Sequence, residues 1–255
     1  MTALGASLSQ ISTTINRLRQ LTRVDVQTSL NFCQSGEDVQ VELNERGHIA
    51  WPPQQVIELQ QTIIVPTTLN GFPLTEFSLR LVLRWWAETA HIYINDQLIQ
   101  TGDLFDCSTR VLLSNSVQPG DVFKVRLQLV SPKHDDGALV QSVCVYETST
   151  ENRVDPGFLA DELEVLLIAI TQTPSFINTR QEALNVLTAT LNKIDWFALP
   201  EHPEKFNNSL IAVRQTLIHY ISTNLPNTHS KIALLGHSHL DIAWLWPVAD
   251  TWKAA

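Results

Sequence analysis

Phe77-Ser78-Leu79-Arg80-Leu81-Val82-Leu83-Arg84-Trp85 is the stretch that decides the fold. Apolar side chains occupy every odd position, and the even positions are polar except at Val82. Successive strand side chains point to opposite faces, so this period of two describes a strand with one buried face and one wet face. Lys124-Val125-Arg126-Leu127-Gln128-Leu129 repeats the pattern. Val56 to Val65, His91 to Ile94, Arg110 to Leu113 and Val140 to Tyr146 supply further strands between about Val39 and Glu147. Asn70-Gly71, Asn95-Asp96, Gly102-Asp103 and Pro119-Gly120 are turn signals between them. Many short strands joined this way predict an antiparallel β-sandwich. Trp85 continues the buried alternation and reads as core. Trp86 is the open question, with a sugar-stacking platform on the sandwich as the alternative to packing.

On either side of this region the period is helical. Leu4, Leu8, Ile11, Ile15, Leu18 and Leu21 form one apolar stripe, predicting a helix that packs on the body or on a partner subunit. Arg17, Arg19 and Arg23 are too few bases for a membrane-surface helix. After Asp155-Pro156-Gly157, three more helices are expected. One covers Phe158 to Thr171. A second begins at Pro174 and aligns Leu184, Leu187, Leu191 and Ile194, and a third follows Pro203. Asn224 to Ser230 reads as a polar turn, and Lys231 to Leu235 as a new strand.

Composition bounds the function classes. The 255 residues are 44% hydrophobic and 17% charged, as in an ordinary globular protein. The formal charge is −9, from 26 acids and 17 bases, which argues against a nucleic-acid surface. Cys33, Cys107 and Cys144 are scattered without metal-ligand spacing and read as reduced thiols. No signal peptide and no spanning apolar stretch is evident, so a cytoplasmic protein without a membrane partner is expected.

The chemistry in the sequence lies in Gly236-His237-Ser238-His239-Leu240-Asp241-Ile242-Ala243-Trp244-Leu245-Trp246-Pro247. In an extended segment His237, His239 and Asp241 project to one side, and imidazole with carboxylate suits zinc or another divalent ion. This string resembles the opening of the catalytic domain of glycoside hydrolase family 38, most closely its cytosolic and bacterial α-mannosidases. The resemblance is dense over roughly the last twenty-five residues. It implies that His239 and Asp241 ligate one Zn2+ and that Trp244 walls the mannose subsite. His237 matches flanking sequence and is not assigned to the metal. The implied reaction is retaining, with two carboxyl groups roughly 5–5.5 Å apart across the scissile bond. In the family those carboxylates and a further metal-binding histidine lie further along the chain. These 255 residues are therefore expected to be an amino-terminal part without turnover of its own.

The expected fold class is α+β, an antiparallel β-sandwich followed by helices and the first strand of an incomplete α/β (β/α barrel) catalytic domain. The divisions expected are a helix in 1–30, the sandwich in 31–150, a helical segment in 151–229 and the barrel start in 230–255. The function implied by the resemblance is hydrolysis of terminal α-mannose in oligosaccharides, with a mannose-containing oligosaccharide as partner and homo-oligomerisation of the full-length protein left open. Two rivals stand beside it. His-x-His-x-Asp also resembles the metal signature of other metallohydrolases, although Ile242 stands where β-lactamase-like enzymes continue with histidine. The other rival is a non-catalytic β-sandwich module for carbohydrate binding or assembly.

Overall fold

The computed structural model describes residues 3–34, 37–148, 153–172 and 176–224. It opens with α1 (Ala3–Arg19) and a short strand, β1 (Arg23–Asp25). Then come β2 (Asn31–Gln34), β3 (Glu37–Gln40), β4 (Ile49–Trp51), β5 (Val56–Ile64), β6 (Thr68–Leu69) and β7 (Phe72–Pro73). The sandwich continues with β8 (Ser78–Trp86), β9 (Thr89–Ile94), β10 (Gln97–Gly102), β11 (Ser108–Ser114), β12 (Val122–Val130) and β13 (Gly137–Glu147). The helices α2 (Pro156–Gln172), α3 (Arg180–Leu191) and α4 (Pro203–Asn224) follow.

All pairing among the described strands is antiparallel. One sheet runs β1-β13-β8-β11, and β4 joins it on β13. A second runs β10-β9-β12-β5-β2-β3, and β6 and β7 pair as a separate two-stranded sheet. Leu79, Leu81, Leu83 and Trp85 of β8 share one hydrophobic core with Leu59 of β5, Ile92 of β9 and Val125, Leu127 and Leu129 of β12. This is the predicted sandwich. Val82 is no exception to its alternation: it lies on the outer side, opposite Val143 on β13 and Arg110 on β11. The turn signals also hold. Asn95 and Asp96 both take positive φ (50° and 66°) between β9 and β10, and Asn70-Gly71 do so between β6 and β7 (50° and 81°).

The helices pack against the sandwich as one layer. Ile11, Ile15 and Leu18 of α1 are buried with Leu159 and Leu163 of α2 and with Leu184 and Leu187 of α3. Arg19 reaches Asp161 (2.9 Å) and Glu164 (2.7 Å), pinning α1 to α2. Phe206 of α4 meets Phe72 of β7 edge-on at 6.0 Å. The second helix expected after the sandwich, from Pro174, is the helix described from Arg180 onward; residues 173–175 lie outside the described residues. Phe176 is buried before it, and Arg180 Nε donates to the Ile170 carbonyl at 3.1 Å. That anchoring holds 176–179 in turns and moves the helix start past them. Among the described residues no helix is long and apolar enough to cross a membrane. Barrel closure is not seen among these residues, and 230–255, where the barrel start was expected, lies outside them.

Candidate saccharide-binding cleft

Trp86 is the last residue of β8 and lies on its outer side. The alternation that buries Trp85 to 2% exposure leaves Trp86 38% exposed, so two adjacent indoles take opposite roles. Cross-strand pairing explains the space beside it. Ala138 of β13 is paired with Trp86 on one side and with Ala50 of β4 on the other. Two methyl-sized side chains next to an indole leave a low floor between higher walls. The result is a cleft of about 680 Å3, within the ~300–1,000 Å3 range of small-molecule sites. Val140, where the β13–β8 register shifts, also lines it. Such a bulge bends a strand and re-aims its side chains.

Two turns form the polar rim. In the first, the Asn44 side-chain oxygen accepts the backbone N–H groups of Arg46 (2.9 Å) and His48 (3.0 Å). Gly47 takes the left-handed conformation there (φ 74°), which suits glycine. Gln27, 3% exposed, donates through Nε2 to the carbonyls of Gly47 and Leu139, each at 3.0 Å. A buried amide thus ties the rim turn to the strand beneath it. In the second turn, Asp135 Oδ1 accepts the Asp136 N–H at 2.9 Å. Asp135 Oδ2 accepts the Trp86 Nε1 proton at 3.2 Å, which fixes the indole against the rim. Glu45, Arg46, His48 and Asp136 add hydrogen-bonding groups around the opening.

The floor is held from below by Trp51, which is buried and lies against Gly137. Gly137 is paired with Trp51 across β13 and β4, and a methyl at 137 would come within 2.3 Å of the indole. Only a hydrogen at that position lets the ring lie against the strand. The arrangement offers an aromatic face, a shallow apolar floor and a ring of charged and amide groups. Those are the parts needed to hold a polar ring that has C–H patches on its faces.

A second polar cleft, of about 500 Å3, runs between β13 and α2. Its carboxylates are engaged internally. Glu147 pairs with Arg80 (3.1 Å) and Arg110, and Asp161 pairs with Arg19 and Arg23. Asp155 caps α2, accepting the N–H groups of Gly157 (2.8 Å) and Phe158 (3.0 Å). Burial raises its carboxyl above the ordinary range, against the opposing pull of these N–H donors and Arg23. This cleft reads as a junction holding helix to sheet.

His237, His239, Asp241 and Trp244 lie outside the described residues, as do the zinc site expected of His239 and Asp241 and the sugar subsite expected of Trp244. Among the described residues no cluster of three or more His, Cys, Asp or Glu side chains is placed to hold a metal ion. Cys33, Cys107 and Cys144 form no disulfide; Cys144 is buried and Cys33 and Cys107 are half-buried. Of the residues around the cleft, only Trp86 was singled out by sequence reasoning. A large aromatic just past a strand's buried series was the signal. Ala50 and Ala138 carried none, because their role depends on pairing between distant segments.

No protein-family model matches the chain, and no curated protein sequence matches it. Solved structures do show similarity at low identity. An FMN-binding β-glucuronidase from Faecalibacterium prausnitzii L2-6 is 12% identical (TM-score 0.35), over 50% of this chain and 22% of that one. A GH2 β-galacturonidase from Eisenbergiella tayi is 12% identical (TM-score 0.34), over 51% and 25%. A family two carbohydrate esterase from Cellvibrio japonicus is 10% identical (TM-score 0.30), over 49% and 33%. The similarity therefore spans a third or less of each of these proteins. They are not α-mannosidases of glycoside hydrolase family 38, and the assignment to that family is corrected here. It rested on the run 236–247, which lies outside the described residues.

Proposed function

We propose that the β-sandwich is a non-catalytic saccharide-recognition module of a carbohydrate-active protein, with the cleft beside Trp86 as its binding site. The observation that supports this most is the row Trp86–Ala138–Ala50. An outward indole borders a floor of small side chains, and hydrogen-bonding rims close both ends. Stacking of a pyranose C–H face on the indole supplies the apolar contact, and the rim carboxylates, Arg46 and Asn44 take the hydroxyls. Asp135 fixes the indole before the ligand arrives, which lowers the cost of ordering it on binding.

Titration calorimetry of the 255-residue chain with a panel of neutral oligosaccharides tests the reading. Trp86→Ala should weaken the best binder by about tenfold or more, since truncating a central aromatic anchor commonly costs over ~1 kcal/mol. Trp86→Phe should recover part of that loss. Binding by Trp86→Ala at wild-type affinity, or no binding by the wild-type chain, would overturn the assignment.

A further inference from the structure

The cleft between β13 and α2 has its carboxylate acceptors occupied and hydrogen-bond donors left over. Three carboxylates line it, Asp155, Asp161 and Glu147. Asp161 takes Arg19 on one oxygen (2.9 Å) and Arg23 on the other (2.5 Å). Glu147 takes Arg80 on one oxygen (3.1 Å) and Arg110 on the other. Asp155 takes the N–H groups of Gly157 and Phe158 on one oxygen and that of Thr148 on the other (3.2 Å). The donors are not matched in the same way. Thr22 lines the cleft fully buried, and its hydroxyl has no partner. Arg23 Nε is also buried and unpartnered. Arg80 meets Glu147 through Nε, and its two terminal nitrogens bind none of the described residues.

Strand pairing sets the spacing of the two arginines. Arg23 of β1 and Arg80 of β8 both pair with Val145 of β13, from opposite sides. Directly paired residues point to one face, so both side chains rise from the same face, ~10 Å apart at the backbone with Val145 between them. Positive charge gathers there. Burial, and then the charges of Arg80 and Arg23, hold the Arg110 guanidinium below its ordinary value. Thr22 lies against the first turn of α2, where a methyl on Gly157 would come within 2.4 Å of its Oγ1. We propose that this cleft binds a small molecule through a carboxylate or phosphate group, held between Arg23 and Arg80 over Val145 with the Thr22 hydroxyl as a further donor. Such a group only accepts hydrogen bonds, which is what the leftover donors require. An ammonium or a metal ion would find every carboxylate oxygen already engaged. The volume of about 500 Å3 is more than a bare oxyanion fills, and Ser78 and Asn115 offer hydrogen-bonding groups to the rest of the molecule. The site shares no lining residue with the Trp86 cleft and does not rest on the saccharide reading.

Titration calorimetry of the 255-residue chain at low ionic strength, with inorganic phosphate, glucuronate and glucose as probes, tests this. Glucuronate carries a carboxylate where glucose has a hydroxymethyl group, so that pair isolates the charge. At least one of the two anions should bind at a single site, the tighter one marking the ligand as a phosphate or a carboxylate. Arg80→Gln and Thr22→Val should each weaken that binding about tenfold, as expected for losing a hydrogen bond to a charged group. Arg84→Gln, an exposed arginine on the same strand outside the cleft, should bind as wild type does. Thr22→Val also separates binding from folding. Its hydroxyl has no protein partner to lose, so the ligand-free variant should melt no lower than wild type. Binding of neither anion, glucose bound as tightly as glucuronate, wild-type affinity in Arg80→Gln or Thr22→Val, equal weakening by Arg84→Gln, or a lower ligand-free melting temperature in Thr22→Val would overturn the proposal.

Discussion

Gly137→Ala tests whether the cleft floor is set by the contact beneath it. The added methyl would lie 2.3, 2.5 and 2.6 Å from Cε2, Cζ2 and Nε1 of Trp51. Carbon contacts prefer roughly 3.5–4.0 Å, so the ring or the strand must move by about 1 Å. Trp51 has little room to do so. It is 4% exposed, and its neighbours Ile49 and Leu139 are fully buried. Overpacking of this kind costs about 1–3 kcal/mol. Replacing glycine also restricts the unfolded chain, which returns about 0.4–1 kcal/mol. The expected net loss is about 1–2 kcal/mol, or roughly 2–8 °C in Tm for a domain of this size.

Differential scanning calorimetry reads that loss, and saccharide titration reads its consequence. Trp51 ends β4, which carries Ala50, and the strand follows directly on the Asn44–His48 rim. Displacing the indole therefore moves floor and rim together, and affinity should fall along with Tm. Gly120→Ala serves as control: a methyl there meets nothing within 4 Å, so only its positive φ (89°) is disturbed. That variant should lose stability by backbone strain of about 1–2 kcal/mol and keep wild-type affinity. A smaller side chain at 51 should partly relieve Gly137→Ala, giving a measurable coupling in a double-mutant cycle. Gly137→Ala with wild-type Tm and affinity would refute the reasoning, because it would mean that the indole is not pinned.

Three further outcomes are expected. Ala138→Leu should fill the floor, weakening saccharide binding about tenfold while leaving unfolding free energy within ~0.5 kcal/mol, since the side chain points outward; equal affinity would show that the floor is not used. Burial pushes the Cys144 thiol up to about 12, so iodoacetamide at neutral pH should leave Cys144 unmodified in the folded chain and modify all three cysteines in denaturant, as peptide mass mapping would show. Asp155, whose carboxyl is raised by burial, should stabilise the fold most below the ordinary carboxylate range and lose that contribution as pH rises through its folded value; urea unfolding of wild type and Asp155→Asn should therefore differ more in wild type's favour at acid pH than at neutrality, and a difference that grows with pH would contradict the assignment.

The sandwich was legible because its signal is local. A strand with one face in the core must alternate, and residues 77–85 and 124–129 do so without reference to anything distant. Turn residues in left-handed conformations, such as Asn95 and Asp96, are equally local. The stripe of α1 was legible for the same reason, with Ile11, Ile15 and Leu18 buried as their spacing requires. The start of α3 at Arg180 was not, because the burial of Phe176 and the bond from Arg180 to the Ile170 carbonyl are tertiary contacts that no local pattern announces.

The cleft marks where local reading ends. Trp86, Ala138 and Ala50 are far apart in sequence and become neighbours only through the register of β8, β13 and β4. Alanine has no chemistry of its own to notice, and its value here is the volume it does not fill. A run such as His237-Ser238-His239-Leu240-Asp241 has the opposite character: its ligand-like spacing is visible in one line of sequence whatever surrounds it. Sequence reasoning is therefore drawn to reactive side chains at short spacing and passes over sites built from absent bulk. In an antiparallel sheet the second kind can still be sought. Small residues on the outer face of a strand opposite an outward aromatic, with a turn rich in Asp, Asn or Gly at each end, define a shelf. In this chain that pattern is Ala50 after the Asn44–His48 turn, Ala138 after Asp135-Asp136-Gly137, and Trp86 at the end of its strand. If Ala138→Leu abolishes saccharide binding and leaves the fold intact, register and residue size define the site. If only Trp86→Ala does so, the aromatic alone carries it.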